Sequence, residues 1–168
     1  MIPEIKKILY ATDLSKNSSY AFYYAINIAR KFGAKIIILH AIEPIPVHIL
    51  AYAPELGERI ENKDRKEAVD HIQNLLQEFC RKVETQIGAP CLALISKFLV
   101  RVGHPVEEIL KGADEEDCDI IILGSHGKGF LKQTFLGSVS SAVLHRSKKP
   151  VFIIPLPSEE HMMDWDGI

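Results

Sequence analysis

Residues 119–127 read DIIILGSHG, and after nine further residues Gly137-Ser138 opens a helical pattern that runs from Val139 to Arg146. The β-branched apolar run is typical of a strand buried on both faces, so the stretch predicts a strand, a glycine loop and a helix. Glycines let backbone N–H groups approach a ligand closely, and a helix N-terminus adds unpaired N–H donors at the positive end of a dipole. The combination favours an anion site, and phosphate is the anion that it suits best.

The glycines alone leave a purely structural interpretation open, because any strand-to-helix connection needs a turn. Two known phosphate motifs are absent from the stretch. Gly124 and Gly129 have the spacing that opens a P-loop, but Phe130 and Leu131 stand where lysine and a hydroxyl residue are required. Gly127-Lys128-Gly129 begins a dinucleotide fingerprint that lacks its third glycine. A phosphate would therefore be bound by a different pattern.

The composition of the chain limits its class. Its 168 residues, 47% of them hydrophobic, suffice for one globular domain with an ample core. We expect that domain over residues 1–157 and a flexible tail over residues 158–168. A formal charge of −2 leaves no dominant basic face, which argues against a nucleic-acid partner. Because we find neither a signal-peptide core nor an apolar run near ~18 residues, we expect a cytoplasmic protein with no membrane partner.

The cysteines give a second indication of the compartment. Cys80, Cys91 and Cys118 are odd in number and widely spaced, with no Cys-x-x-Cys pair among them. This favours buried thiols in a reducing compartment over a disulfide framework or a zinc site.

Apolar runs and helical spacings alternate along the chain. Strands are predicted at residues 5–11, 35–41, 91–102, 119–123 and 150–154. Helices are predicted from a cap at Ser15, Asn17 or Ser18 to Phe32, over residues 60–87, from Pro105, and over residues 139–146. The first helix is expected to pack through Ala21, Ala25, Ile28 and Phe32, and the long helix through Val69, Ile72, Leu76, Phe79, Val83 and Ile87. Strands that alternate with helices form βαβ units, which predicts an α/β fold with a parallel sheet and right-handed crossovers.

Residues 43–58 differ from the rest of the chain. Pro44, Pro46 and Pro54 predict a segment without regular structure, although it carries several apolar side chains. An apolar loop of this length often serves as a lid or as a contact surface for a partner. A disordered connection, or one packed on its own domain, is an equally open interpretation.

Two segments are predicted to face each other across a ligand crevice. In a doubly wound sheet the crevice lies at the carboxyl ends of the strands where the winding reverses. If the first and fourth strands are neighbours there, Ala11-Thr12-Asp13 lies opposite Gly124-Ser125-His126-Gly127. Asp13 could then accept hydrogen bonds from ribose hydroxyls or help to hold Mg²⁺ beside phosphates. A turn or N-cap carboxylate is the alternative role for Asp13.

These residues carry a specific resemblance to a known family. Gly124, Gly127 and Gly137-Ser138 follow the order glycine, two residues, glycine, nine residues, Gly-Ser, which resembles the pattern of nucleotide-binding universal stress proteins. The similarity covers nearly the whole chain and includes residues 6–15, Leu39-His40-Ala41 and Lys149-Pro150-Val151. The chain therefore looks like a member of the ATP-binding subgroup of that family.

The resemblance implies a three-layer, Rossmann-like α/β/α sandwich whose five-stranded parallel sheet has the order 3-2-1-4-5, with ATP, ADP or AMP bound where the winding reverses. On the adenosine side it implies Ala11, Thr12 and Asp13, with Ala41 against adenine and Gly103 beside the base or ribose. On the phosphate side it implies Leu123, Gly124, Ser125, His126, Gly127, Gly137, Ser138, Val139 and Ser140. Backbone N–H groups would supply most of the phosphate contacts, and the two serines of the last helix would add hydroxyls. Ala11 replaces a proline found in some members, which affects only the rigidity of that turn.

The sequence offers little catalytic machinery for phosphoryl transfer, which needs an oriented nucleophile, a cation clamp and usually a base. The candidates are His126, whose imidazole can simply point to solvent, and Lys128 and Lys132, which can be solvated loop charges. We therefore favour a nucleotide-binding regulatory switch in a stress response, with slow or partner-dependent hydrolysis at most. A true ATPase or nucleotidyl transferase of the same fold is one alternative.

The second alternative is a dimeric interaction protein that binds no nucleotide and works through residues 43–58. The resemblance also implies a homodimer joined through the last strand, residues 150–154. This strand is therefore the expected self-association surface, whichever function applies.

Overall fold

Strands and helices alternate along the chain, as the sequence predicts. The structure is a computed structural model that describes residues 1–44, 46–52, 65–126 and 136–155. Its strands are β1 (Lys7–Ala11), β2 (Lys35–Ile42), β3 (Ile95–Val102), β4 (Ile120–Gly124) and β5 (Val151–Ile154). Its helices are α1 (Lys16–Phe32), α2 (Val47–Tyr52), α3 (Arg65–Ile87), α4 (Pro105–Glu115) and α5 (Ser138–Arg146), with a 3-10 helix at Leu92–Leu94.

The five strands form one parallel sheet in the order β3-β2-β1-β4-β5. The central strand β1 places Ile8 opposite Ile36 of β2 on one side and Ile120 of β4 on the other. This confirms the predicted 3-2-1-4-5 order and the α/β fold. Because the winding reverses between β1 and β4, the carboxyl ends of these two strands border the crevice where such sheets bind ligands.

Helices cover both faces of the sheet, which explains why the central strands are apolar throughout. In β1, Ile8 and Tyr10 point towards the core beneath α1 and α3, whereas Leu9 and Ala11 point towards α4 and α5. The long helix buries Leu76, Phe79 and Val83 of its predicted stripe and partly buries Ile72 and Ile87.

The ends of α1 agree with the sequence, but its packing face differs at one residue. Ser15 caps the helix by accepting the Ser18 N–H, and Gly33 ends it in the left-handed conformation with a φ of 65°. Ala21 and Ala25 are buried as predicted, whereas Phe32 is 59% exposed and Phe22 is buried instead. At that end the sheet begins with exposed lysines, Lys7 and Lys35, so the last turn of α1 has little apolar surface to cover.

The expectation that residues 43–58 lack regular structure is wrong for Val47–Tyr52, which form α2. Pro46 directly precedes this helix, where its missing N–H removes no intrahelical hydrogen bond. Prolines therefore border the helix rather than prevent it. Ile45 and residues 53–64 lie outside the described residues, as does the start of the predicted 60–87 helix.

The third strand begins at Ile95 rather than at Cys91. Cys91 is buried, and its thiol donates to the Cys80 carbonyl of α3 at 3.2 Å. The Leu92 N–H donates to Glu84 Oε1 of the same helix at 3.0 Å. These bonds attach the segment to α3, so pairing with β2 is delayed until Ile95.

Cys80, Cys91 and Cys118 are free thiols, and the structure confirms their predicted burial. Burial raises the pKa of Cys80 to about 12 and the pKa values of Cys91 and Cys118 to about 11. An unfolded thiol has a pKa of about 8.5, so the folded state favours the neutral form of all three groups.

At pH 7 these thiols are therefore expected to leave the free energy of unfolding unaffected. As the pH rises from about 8.5 towards 11, the free energy of unfolding should fall, because the unfolded chain then releases thiol protons that the folded chain retains. Urea unfolding at pH 7.5, 9 and 10 measures the fall. A C80A/C91A/C118A variant should show a shallower pH dependence. An equally steep dependence in that variant would show that the thiols do not cause it.

Candidate functional site

A cavity of about 860 Å³ opens at the carboxyl ends of β1 and β4, where the winding of the sheet reverses. This volume lies in the range of pockets that hold small ligands and cofactors. The predicted site residues that line it are Ala11, Thr12, Asp13, Ala41, Leu123, Gly124, His126, Gly137, Ser138, Val139 and Ser140. The fold thus brings together both segments that the sequence predicts to face each other.

Side-chain hydrogen bonds connect the end of β1 to the turn that follows it and to the start of α1. Thr12 Oγ1 lies 2.9 Å from Ser18 Oγ and accepts the Leu14 N–H at 3.0 Å. Asp13 Oδ1 accepts the Ser15 N–H at 3.0 Å, which is the turn role predicted as the alternative for this carboxylate. Asp13 also lines the cavity. Beneath them the buried Tyr10 hydroxyl, whose pKa is raised by burial, donates to the Ser18 carbonyl at 2.7 Å.

The β2 side contributes residues that the site prediction omitted. His40 lines the cavity, and its Nδ1 lies 2.8 Å from the Thr12 carbonyl oxygen. A carbonyl only accepts, so Nδ1 carries the proton and ties β2 to the end of β1. Glu43 lines the same wall. A polar residue near the carboxyl end of a buried strand was the available signal for His40.

The opposite wall is the junction between β4 and the start of α5. The Gly137 N–H donates to the Ser125 carbonyl at 2.7 Å, and the Ser140 hydroxyl donates to the Gly124 carbonyl at 2.7 Å. These two bonds fix the first turn of α5 against the end of β4. Gly137 is the N-cap and offers no side chain to cap the helix.

The first turn of α5 is the candidate anion-binding part of the cavity. The first N–H groups of a helix have no intrahelical acceptor, and they lie at the positive end of the dipole. Ser138, Val139 and Ser140 line the cavity at this position. The Gly137 N–H and the Ser140 hydroxyl are already bonded within the protein, so the remaining groups of this turn are the better candidates for phosphate contacts.

The sequence left open that the His126 imidazole points to solvent. In the structure it does not. Its side chain is buried, lines the cavity, and places Nδ1 2.9 Å from Ser125 Oγ. A local pattern does not reveal this, because the ring is held by the neighbouring serine and by the fold of the junction. His126 is therefore a buried residue of the cavity wall.

Two predicted glycines lie close to neighbouring groups of the protein. A β-carbon on Gly124 would lie 3.3 Å from the Asn17 carbonyl oxygen, because the start of α1 approaches it closely. A β-carbon on Gly103 would lie 2.5 Å from Glu108 Oε1. Gly103 is not among the residues that line the cavity, and its N–H donates to the Ile42 carbonyl at 2.9 Å.

The remaining predicted residues are placed differently. Ser125 supports the wall without lining the cavity, since its N–H donates to the Ile154 carbonyl at 2.7 Å. Gly127, Lys128 and Lys132 lie outside the described residues.

The ionisable groups of the cavity are unusual for a phosphate site. The lining residues that the structure describes include the carboxylates of Asp13 and Glu43 and the imidazoles of His40 and His126, but neither lysine nor arginine. Over the same part of the chain, no three His, Cys, Asp or Glu side chains form a metal cluster. Asp13 could still provide one ligand to a magnesium ion held mainly by phosphates. Backbone N–H groups would then carry most of the interaction with an anion.

No helix within the described ranges is both long enough and apolar enough to cross a membrane.

Comparison with known proteins gives consistent similarities. A model of the Universal stress protein family matches residues 4–155. The chain is 34% identical over 152 residues to the universal stress protein MJ0577 of Methanocaldococcus jannaschii, covering 89% of this chain and 94% of that protein. It is 30% identical over 154 residues to the universal stress protein YxiE of Bacillus subtilis, covering 88% and 97%.

Solved structures show the same similarity in three dimensions. The structure of MJ0577 superimposes with a TM-score of 0.70 at 31% identity and covers 93% of this chain and 99% of that chain. A universal stress protein solved in complex with cAMP superimposes with a TM-score of 0.60 at 25% identity and covers 91% and 98%.

Proposed function

The chain belongs to the universal stress protein family, and we propose that it is an ATP-binding member that acts as a nucleotide-dependent regulatory switch in a stress response. One observation supports this most strongly. The first turn of α5 is fixed opposite Thr12 and Asp13 across one cavity large enough for a nucleotide. The similar protein solved with cAMP supports an adenine nucleotide as the class of ligand.

The two walls of the cavity suit the two ends of such a ligand. The adenosine would lie against Ala11, Thr12 and Ala41, with the carboxylate of Asp13 accepting from ribose hydroxyls. The phosphates would lie at the start of α5, where backbone N–H groups from Ser138 onwards stabilise negative charge. A magnesium ion beside the phosphates would offset the negative charge of Asp13 and supply further charge neutralisation.

Slow hydrolysis at most is part of the proposal. His126 lines the cavity, and because its Nδ1 is engaged with Ser125 Oγ, Nε2 is the ring nitrogen that could orient a water molecule. The described cavity wall has no lysine or arginine to stabilise a transferring phosphoryl group. The site therefore suits holding a nucleotide better than cleaving it.

Thermal unfolding with and without Mg-ATP tests the proposal. A saturating nucleotide at about 100 times its Kd should stabilise the protein by about 2.7 kcal/mol, or roughly 5–10 °C in Tm. ADP, AMP, cAMP and GTP measured in parallel would define the preference. Turnover well above that of His126→Ala and Asp13→Ala variants would instead favour a true ATPase or transferase.

We also propose that the protein is a homodimer joined through β5. This strand lies at one edge of the sheet, and its Phe152 is 42% exposed. The strand follows α5 in the chain, and Leu144 of that helix is 44% exposed. At the other edge, β3 carries Lys97 and Arg101, which form ion pairs with Glu116 and Glu115. Charged side chains protect an edge strand from pairing, so β5 is the better edge for self-association.

A cytoplasmic location is part of the proposal. The free, buried state of all three cysteines supports it, because such thiols are typical of reducing compartments.

A partner-binding role for residues 43–58 is the second candidate function. The observation in its favour is that α2 exposes Val47 by 80% and Tyr52 by 92%. The helix follows Glu43, which lines the cavity, so nucleotide binding could influence it. If a V47S/Y52S variant retained ATP binding and lost a partner, both functions would hold. Loss of a partner without any nucleotide binding in the wild-type protein would favour the interaction role alone.

A further inference from the structure

Leu14, in the turn between β1 and α1, has a left-handed backbone with a φ of 66°. The other described residues with a positive φ are Gly33, Gly88 and Asp117. Glycine takes this conformation freely, and aspartate takes it more readily than most residues. For leucine the steric cost of a left-handed backbone lowers the population of this conformation about tenfold. Leu14 is therefore a strained residue, and it directly follows two residues that line the cavity.

Side-chain hydrogen bonds cross this turn. The Leu14 N–H donates to Thr12 Oγ1 and the Ser15 N–H donates to Asp13 Oδ1, each at 3.0 Å. Thr12 Oγ1 also lies 2.9 Å from Ser18 Oγ in the first turn of α1. The conformation of residue 14 is thus linked to the positions of both polar groups that the β1 wall presents to a ligand.

The side chain of Leu14 explains why the strain persists. It is partly buried and packs against the core beneath α1, which includes Tyr10 and Phe22. It does not line the cavity. Glycine would fit the backbone of residue 14 but would make none of these apolar contacts. Leucine makes them, and the contacts hold the strained turn in place.

We propose that Leu14 is a positioning residue of the nucleotide site: its anchored side chain keeps residue 14 left-handed and so presents Thr12 and Asp13 to the cavity. The ligand in this inference rests on the proposed function, whereas the statement about the turn does not. Without the anchor, a non-glycine residue relaxes towards a right-handed or extended backbone, and the Asp13 carboxylate turns away from the ribose.

Leu14→Ala and Leu14→Gly test the proposal, because both remove the anchor and they differ chiefly in their tolerance of a positive φ. Calorimetric titration with Mg-ATP should show about tenfold weaker binding for Leu14→Ala and a smaller loss, within about threefold of wild type, for Leu14→Gly. If Leu14 serves packing alone, the glycine variant, which loses more side chain and gains flexibility, binds no more tightly than the alanine variant. That order would overturn the proposal.

Asp117 provides a matched pair of controls. It has a φ of 52°, lies between α4 and β4, and does not line the cavity. Asp117→Ala and Asp117→Gly should differ in thermal stability but bind Mg-ATP with the same affinity. The contradicting result is that Asp117→Gly binds Mg-ATP more tightly than Asp117→Ala by as much as Leu14→Gly exceeds Leu14→Ala. General stability would then cause the effect, and Leu14 would have no positioning role.

Amide hydrogen exchange in nucleotide-free protein separates this inference from the proposed function. The Leu14 and Ser15 amides should exchange about tenfold faster in Leu14→Ala than in wild type, with Leu14→Gly close to wild type. If this order holds and wild type binds no ATP, the proposed function fails and the role of Leu14 in the turn stands. If the order fails, the role of Leu14 is overturned, whatever the wild-type protein binds. Leu14→Met, which keeps a long apolar side chain, should match wild type in both measurements, and a loss there would also contradict the proposal.

Discussion

ATP is expected to bind the Gly137→Asp variant about a hundredfold more weakly than the wild-type protein, although the variant should be at least as stable. Gly137 is the N-cap of α5, with φ −66° and ψ 161°, a conformation that any residue adopts. Aspartate is a favourable N-cap, so the helix should gain about 0.3 kcal/mol. Its carboxylate would accept the N–H groups that the phosphates need and would repel their negative charge.

Calorimetric titration and ligand-free thermal unfolding measure the two effects separately. Gly137→Asn is the matched control, because its side chain has nearly the same shape and also caps helices but carries no charge. We expect it to lose only about tenfold in affinity, the difference from aspartate being the repulsion between charges. Equal affinities in wild type and Gly137→Asp would show that the phosphates do not lie at the start of α5.

The Phe152→Asp variant is expected to be monomeric at concentrations where the wild-type protein is dimeric. The change places a charge on the edge strand β5 at a side chain that is already 42% exposed. The fold should therefore tolerate it, whereas a strand-to-strand interface should not. Size-exclusion chromatography with light scattering measures the molar mass, and circular dichroism checks the fold.

Phe32→Asp is the control for that experiment. It introduces the same change at a phenylalanine that is 59% exposed, in the last turn of α1 rather than on β5. This variant should remain dimeric. If both variants became monomeric, or if Phe152→Asp kept the wild-type mass, the interface would not run through β5.

The strands and their order were predictable because their residues carry an unusually strong signal. A run such as residues 120–123 is buried on both faces in the structure, as an apolar β-branched sequence requires. The strand order came from the family resemblance, and the structure confirms it. The cap at Gly33 is a local feature that the sequence alone could identify, whereas Ser15 was one of three candidate N-caps and the structure selects it.

The errors occur where distant parts of the chain decide the outcome. Phe32 follows the apolar spacing of α1, but the sheet offers it no apolar surface there. Cys91 is attached to α3 through Cys80, a contact that no local pattern contains. In the site, the bond between His40 on β2 and Thr12, which directly follows β1, joins distant parts of the chain, so no local pattern predicts it. The Ser125–His126 contact joins neighbours, but whether the ring turns inward depends on the surrounding fold.

The structure also changes the reasons for some residues that the sequence identified correctly. Gly124 was selected as a phosphate-binding glycine, whereas the close approach of α1 also leaves little room for a side chain there. Ser140 was expected to add a hydroxyl to the phosphate side, and in the structure that hydroxyl fixes α5 to β4. The pattern of glycines and serines thus builds the walls of the cavity as well as offering groups to a ligand.

Titration of nucleotide-free wild-type protein with Mg-ATP, followed by isothermal calorimetry, tests the central claim most directly. We expect saturable binding of one ATP per chain, with no binding of inorganic phosphate at the same concentration, because the cavity must engage both ends of the nucleotide. Absence of saturable binding at millimolar ATP, in protein that circular dichroism shows to be folded, would contradict the claim that this cavity is a nucleotide site.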